Sequence, residues 1–305
     1  MSYDPQVFNP DEAEVHFPFV PFVVSVVVNT AAAALLYYLI AREVFIGEMS
    51  TSWLVVLMWM AVIGLPLSLF EYLYHRYLLH SAVFPFMKSM NRSHDHHHEL
   101  TDVKPDFKPT AVGEDGLYPV ESKYPIESEA QEESMHFPLY SLIIFQAVFG
   151  ILLALPLKLM FPGAPVLLGT LLTVTVYFVS YEVWHMIQHL PYTKFWVPRL
   201  YQSRFKKAWQ RVYVFHLMHH YMTNVNMAVV GYYGIALWDH VFNTCYRMEE
   251  LPVKGARVAL GSLKYKPTPR WPVRLVDSWK GPMYKWSRKV EAWGRRLLRI
   301  KEQAR

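Results

Sequence analysis

WLVVLMWMAVIGLPLSLFEYLYHRYLLH, residues Trp53 to His80, sets an uncharged run directly ahead of two histidines. Trp53 to Phe70 holds no charge, and about 18 apolar residues are what a helix needs to cross the hydrocarbon core. Three more stretches behave the same way: Phe17 to Ala41, Phe137 to Leu157 and Ala164 to Tyr181. One such segment can be the buried helix of a soluble enzyme, but four among 305 residues, 53% of them hydrophobic, mark an integral membrane protein. No basic stretch precedes the first segment and no small-residue cleavage pattern follows it, so it reads as a retained span rather than a signal peptide. Residues 1–16 form an acidic tail outside the membrane.

The histidines are grouped. Ten of the 14 fall into four blocks: His75 and His80 in HRYLLH, His94, His97 and His98 in HDHHH, His185 and His189 in HMIQH, and His216, His219 and His220 in HLMHH. A helix returns to one face every three to four residues, so the second, third and fourth blocks each aim imidazoles one way. His75 and His80 are about 140° apart on an ideal helix, so they flank a helix break or serve opposite sides of one site. The adjacent pairs sit about 100° apart and can each divide between two ions. Ten imidazoles exceed the four to six positions of one transition metal, which argues for two metals. Scattered core or surface histidines are the plainer explanation for any single block, and the four together outweigh it. His16, His136 and His240 are isolated and read as structural. HDHHH can be taken with or without His96, and its likeness to HLMHH favours His94, His97 and His98.

Spans and blocks fit one geometry. His75 lies 22 residues beyond Trp53, about 33 Å of helix, and His185 lies 21 beyond Ala164, so both emerge at a membrane face. With the spans paired as two hairpins, all ten histidines meet on one side. The far side has only the short connections Arg42 to Ser52 and Lys158 to Gly163. Leu190 to Arg305 holds 22 Lys and Arg, which makes the histidine side cytosolic. The expected fold is an all-α membrane bundle of about four transmembrane helices, with a cytosolic helical cap carrying a histidine-rich dimetal site.

Charge divides along the chain. Residues 1–136 carry 7 basic and 18 acidic side chains, net −11, and residues 137–305 carry 23 and 7, net +16. The basic excess is interleaved with Trp, Tyr and Leu, as in MYKWSRKVEAWGRRLLRI, so residues 246–305 read as a tail on anionic lipid headgroups rather than a nucleic-acid surface. Glu99 to Ser134, rich in Asp, Glu, Lys and Pro, reads as an exposed cytosolic loop, either a cover for the site or disordered. The single Cys245 excludes a disulfide framework and a thiolate iron–sulfur site. No glycine-rich dinucleotide fingerprint is present, so reducing power must come from another protein.

HRYLLH, HDHHH, HMIQH and HLMHH on the ends of paired apolar helices resemble the fatty acid hydroxylase and sterol desaturase superfamily of membrane histidine-rich di-iron enzymes. YEVWH, HHYMTNVN and WDHVFNT add to the likeness, which covers about residues 52–245 and defines a catalytic domain within 17–245. The resemblance implies that His75, His80, His94, His97, His98, His185, His189, His216, His219 and His220 hold two iron ions. It implies no catalytic residue beyond these ligands. It further implies dioxygen as co-substrate, a lipid, fatty acyl or sterol-like substrate drawn from the bilayer, and hydroxylation or desaturation of a C–H bond in lipid biosynthesis. No haem-binding HPGG signature is fused to the chain, so the electron donor would be separate, a cytochrome b-type protein or a ferredoxin with its reductase. The host membrane would be a bacterial inner membrane or the endoplasmic reticulum.

Imidazoles suit iron and zinc, and of the two only iron offers redox change. Zinc as the metal found on purification, in a structural site or a transporter, is the alternative to an oxygenase. Glu71, Glu182, Asp239, Asn224 and Asn226 are expected to orient ligand imidazoles through their second ring nitrogen, with capping or solvation of helix ends as the alternative for Glu71 and Glu182.

Overall fold

With no water in a bilayer core, an apolar run satisfies its backbone internally by forming helix. A computed structural model describes residues 18–81, 83, 88–101, 103–105, 117–122, 134–246, 257–259 and 267–297. The tail 1–16, and His16 with it, lies outside the described residues. In chain order the elements are α1 (Phe19–Ile40), α2 (Arg42–Met49), α3 (Trp53–Leu79), α4 (Lys88–Leu100), β1 (Val103–Pro105) and β2 (Leu117–Ser122). There follow α5 (Ser141–Met160), α6 (Val166–Gln188), α7 (Lys206–Tyr221), α8 (Leu237–Val241), β3 (Arg257–Ala259) and α9 (Val273–Leu297). The four helices α1, α3, α5 and α6 are long and apolar enough to cross a membrane.

α6 is the central span, packed against α1, α3 and α5. A core of Ile63, Leu67, Leu142, Val174, Tyr177 and Phe178 fills the space between them. Their outer faces expose Val, Leu, Ile and Met, as surfaces meeting lipid do. Polar side chains join the spans: Gln146 Nε2 donates to Thr175 Oγ1 (3.0 Å), and Thr30 Oγ1 lies 3.3 Å from the same atom.

Two features depart from expectation. Arg42 to Ser52 is not a plain connection, because Arg42–Met49 is helical and buries Glu48. Glu48 accepts from Lys158 Nζ (2.6 Å) and from the backbone N–H of Leu168 (2.7 Å), tying α2 to α5 and to the first turn of α6. The bundle is also not wholly helical: β1, β2 and β3 form an antiparallel sheet in the order β1-β2-β3. Val103 pairs with Ser122 and Leu117 with Ala259, so part of the 99–134 segment is a strand pair joined by a strand from the basic tail.

Residues 222–236, between α7 and α8, run back along α3. Tyr233 Oη donates to the Met60 carbonyl (2.7 Å) and Tyr232 Oη to that of Ala61 (3.2 Å). Met60 lies 15 residues before His75, about 22 Å of helix, so the loop descends deep beside the span. Irregular backbone at that depth needs internal partners. Glu71 supplies them, accepting from the N–H groups of Val229 (2.7 Å), Val230 (2.8 Å) and Gly231 (2.9 Å). Gly231 turns the tip at φ +59°, where a Cβ would lie 2.3 Å from the Ile235 carbonyl oxygen. Gly64 lets the loop approach, since a Cβ there would stand 2.5 Å from the Tyr233 ring.

Removing one member of the Glu48–Lys158 pair leaves a buried charge unpaired. Glu48→Ala should lower stability by about 3 kcal/mol, while Glu48→Gln combined with Lys158→Met should lose less. Thermal unfolding in detergent checks this, and equal losses in both proteins would show that the ion pair is not the source.

Candidate metal centre

α3 ends in wide turns. Over His75–Leu79 the backbone hydrogen bonds skip five residues, and the His80 N–H donates to the His75 carbonyl (3.2 Å). That winding brings residues five apart to nearly one face, so His75 and His80 stack with ring centroids 5.0 Å apart. α4 contributes His94, His97 and His98, α6 and the residue capping it contribute His185 and His189, and the last turns of α7 contribute His216, His219 and His220.

The ten imidazoles form two sets of five: His75, His80, His94, His98 and His219 in one, and His97, His185, His189, His216 and His220 in the other. Within each set the nearest ring nitrogens all lie within 4.8 Å of one another. The adjacent pairs divide as their 100° separation predicts, His97 from His98 and His219 from His220. Nε2 atoms stand 3.1 Å apart for His75 and His94, 3.1 Å for His80 and His219, 2.8 Å for His189 and His216, and 3.2 Å for His216 and His220. Two nitrogens bound at right angles about 2.1 Å from one ion are separated by about 3 Å. The sets adjoin, the His98 and His220 rings lying 4.2 Å apart.

Tautomers follow from the outer partners. His75 Nδ1–H donates to the Met227 carbonyl and His219 Nδ1–H to that of Val225 (2.9 Å), leaving each Nε2 a free lone pair. Thr101 Oγ1 donates to the His97 carbonyl and so accepts from His220 Nδ1–H (2.9 Å). Both ring nitrogens of His97 and of His98 are sealed from solvent without a hydrogen-bond partner, a costly state that a bound cation would relieve. Burial, and then the neighbouring imidazoles, hold His80, His94, His97, His98, His189 and His220 well below the usual histidine range. Burial does the same for His216 and His219. Neutral imidazoles are the form that binds metal.

The expected orienting side chains act one layer further out. None of Glu71, Glu182, Asp239, Asn224 and Asn226 has a hydrogen bond to a ligand imidazole among the described contacts. Glu71 and Asp239 instead hold the backbone whose carbonyls do: Asp239 accepts from the N–H of Met227 (2.9 Å) and of Ala228 (3.0 Å) and from Thr244 Oγ1 (2.8 Å). Asn226, at φ 53°, spans to the carbonyls of Phe215 and Tyr246 (2.8 Å each). Asn224 offers its backbone carbonyl to Arg76 Nη1 (2.7 Å). Glu182 binds His136 Nδ1 (3.0 Å) and the Phe137 N–H (3.2 Å), so His136 stands beside the centre without belonging to either set. His96 and His240 are exposed, outside both sets.

Thr101 and the carbonyls of Val225 and Met227 were not expected. A threonine four residues after His97 was a readable signal, whereas nothing in a sequence marks a backbone carbonyl.

One cavity reaches His94, His185 and His136, and a second, apolar one runs between α3, α5 and α6, lined by Leu67, Phe145, Phe149, Val174 and Phe178. Phe137 and Tyr181 line both. Comparison with protein-family models, curated proteins and solved structures found no match to this chain.

Thr101→Val should weaken metal retention about 10- to 100-fold while the helices stay folded, measured by chelator competition alongside circular dichroism. His80, His94, His97, His98, His189, His216, His219 and His220 have folded pKa values below their unfolded value of about 6.5, so the unfolded chain binds more protons in acid. Stability is therefore present above about pH 6.5 and is lost as pH falls from there toward the folded values. The thermal midpoint and metal content should decline together over that window, and flat profiles would refute it.

Proposed function

We propose that the chain is a membrane-bound non-haem di-iron oxidoreductase that hydroxylates or desaturates a C–H bond of a lipid, a fatty acyl or sterol-like molecule, in lipid biosynthesis, as its resemblance to the fatty acid hydroxylase and sterol desaturase superfamily implies. One observation carries this reading: two adjoining sets of five imidazoles lie beside a cavity that shares Phe137 and Tyr181 with an apolar cavity between candidate spans.

Iron held by the two sets would supply one-electron redox change and a binding place for dioxygen. The protein's own residues do the rest. The Nδ1 partners Met227, Val225 and Thr101 fix three rings with Nε2 inward. Leu67, Phe145, Phe149 and Phe178 present apolar walls that suit a hydrocarbon chain and exclude water from its path. Phe137 and Tyr181 stand where such a chain would turn toward the histidines, and the Tyr181 ring lies 5.6 Å from that of His185. Hydroxylation inserts one oxygen atom into the C–H bond and releases the other as water, consuming two electrons and two protons. The electrons come from an external donor protein, a cytochrome b-type protein or a ferredoxin with its reductase. The basic residues after Leu190 favour a cytosolic site, in a bacterial inner membrane or the endoplasmic reticulum.

The test is metal analysis and Mössbauer spectroscopy on protein purified anaerobically from iron-enriched cells, with oxygen uptake followed in the presence of reductant and membrane lipid. The expected result is two coupled irons per chain and lipid-dependent uptake, both lost in His97→Ala and His98→Ala. Zinc alone, with no iron bound under any expression condition, would overturn the oxygenase reading in favour of a structural or transporting site.

A further inference from the structure

α9 carries two seams at helical spacing. Val273, Asp277, Lys280, Ser287 and Glu291 form the first, which faces the protein. Asp277 pairs with the buried Arg76 (2.7 Å), Lys280 Nζ lies 5.0 Å from the centre of the Tyr77 ring, and Glu291 reaches Lys88 at 3.9 Å. Val276, Trp279, Met283, Trp286, Val290 and Trp293 form the second, turned about 120° away. Its three tryptophans are 59%, 63% and 64% exposed. Arg274, Lys285, Lys289 and Arg296 lie on the remaining flank.

A stripe of this kind would be costly in water and needs a cover. Arg76 and Tyr77 belong to the last turns of α3, a candidate membrane span, so the helix docked on them lies at the level where that span leaves the bilayer. Tryptophan is the residue enriched at that level, with an apolar body and a polar N–H. Seven Lys and Arg against two acids, both acids engaged on the inner seam, suit anionic headgroups. A second copy of the helix would set like charge against like.

We propose that α9 is an interfacial helix, lying in the plane of an anionic membrane surface with Trp279, Trp286 and Trp293 in the headgroup–acyl boundary and its basic flank on the lipid phosphates. The helix thereby braces the α3 turn that carries His75, because Asp277 holds Arg76, the next residue. This assignment needs neither metal nor turnover.

The test uses the full chain with Cys245→Ser, spin-labelled at Val290→Cys or at Ala292→Cys. Each is reconstituted into vesicles of phosphatidylcholine and phosphatidylglycerol, and collision with oxygen and with a water-soluble nickel chelate is measured by power saturation. The expected result is severalfold lower nickel access and higher oxygen access at 290 than at 292, with circular dichroism unchanged from the unlabelled protein. Equal nickel access at the two positions would overturn the proposal. Exclusion of both reagents at 290, with dipolar broadening between labels, would overturn it in favour of a second copy as the cover.

Discussion

Imidazoles crowded together away from water resist a second proton, and that constraint organises the cap. Each added charge would be desolvated and set against its neighbours, so the folded chain keeps the rings neutral. A neutral ring still has two nitrogens to satisfy, and a sealed one without a partner costs free energy comparable to a lost hydrogen bond. The surrounding polypeptide must therefore bring acceptors to Nδ1 while leaving Nε2 facing the centre. Val225 and Met227 do this with backbone carbonyls. The segment that holds them then has its own amides to satisfy, and Glu71 and Asp239 take five of them between them.

The same logic explains why the 222–236 loop returns along α3. A segment anchored at one end beside His219 and at the other by α8 can hold Met227 against His75 only if it is fixed on both sides. Glu71 is one turn before His75 on the same helix, so the element that carries the ligand also carries the clamp for the loop that orients it. The tyrosines at the tip extend that clamp down to Met60 and Ala61. A shift of α3 along its axis would move His75, the Glu71 clamp and the loop it holds together, which preserves the alignment of the His75 ring on the Met227 carbonyl.

How much of this was legible follows from which signals are periodic. The spans and the inward histidines of α4 and α7 repeat at helical spacing, and adjacent histidines separate by a fixed angle, so the ten members and the splitting of each adjacent pair were readable, whereas the set that each other histidine joins was not. His75 and His80 were expected to flank a helix break or to serve opposite sides of one site, and instead they stack in one set, because the wide turn that reconciles a five-residue spacing leaves no mark on composition. The strands at 103–105, 117–122 and 257–259 were missed for a related reason: they are short and carry no clear alternation, and one of their two pairings joins residues more than 130 apart. Glu71, Asp239 and Asn226 were singled out as partners of the centre, yet they act on backbone rather than on imidazole. Side-chain chemistry identifies a hydrogen-bonding group without saying which of several acceptors and donors the fold will give it.

Carbonyls in place of carboxylates at Nδ1 also have an electrostatic consequence. Ten neutral ligands contribute no negative charge, so cations bound among them would carry their full charge into a low-dielectric cap. An anion hydrogen-bonded directly to the ring would offset that charge most strongly, but it would also bury a second ion in each apo site. Keeping Asp239 and Glu71 one layer out separates the two costs. Asp239 is fully enclosed, and burial raises its carboxyl above the usual range despite three donors. One of those donors is the N–H of Met227, the residue whose carbonyl aims His75, so the carboxyl that stands clear of the rings still fixes the loop that orients them.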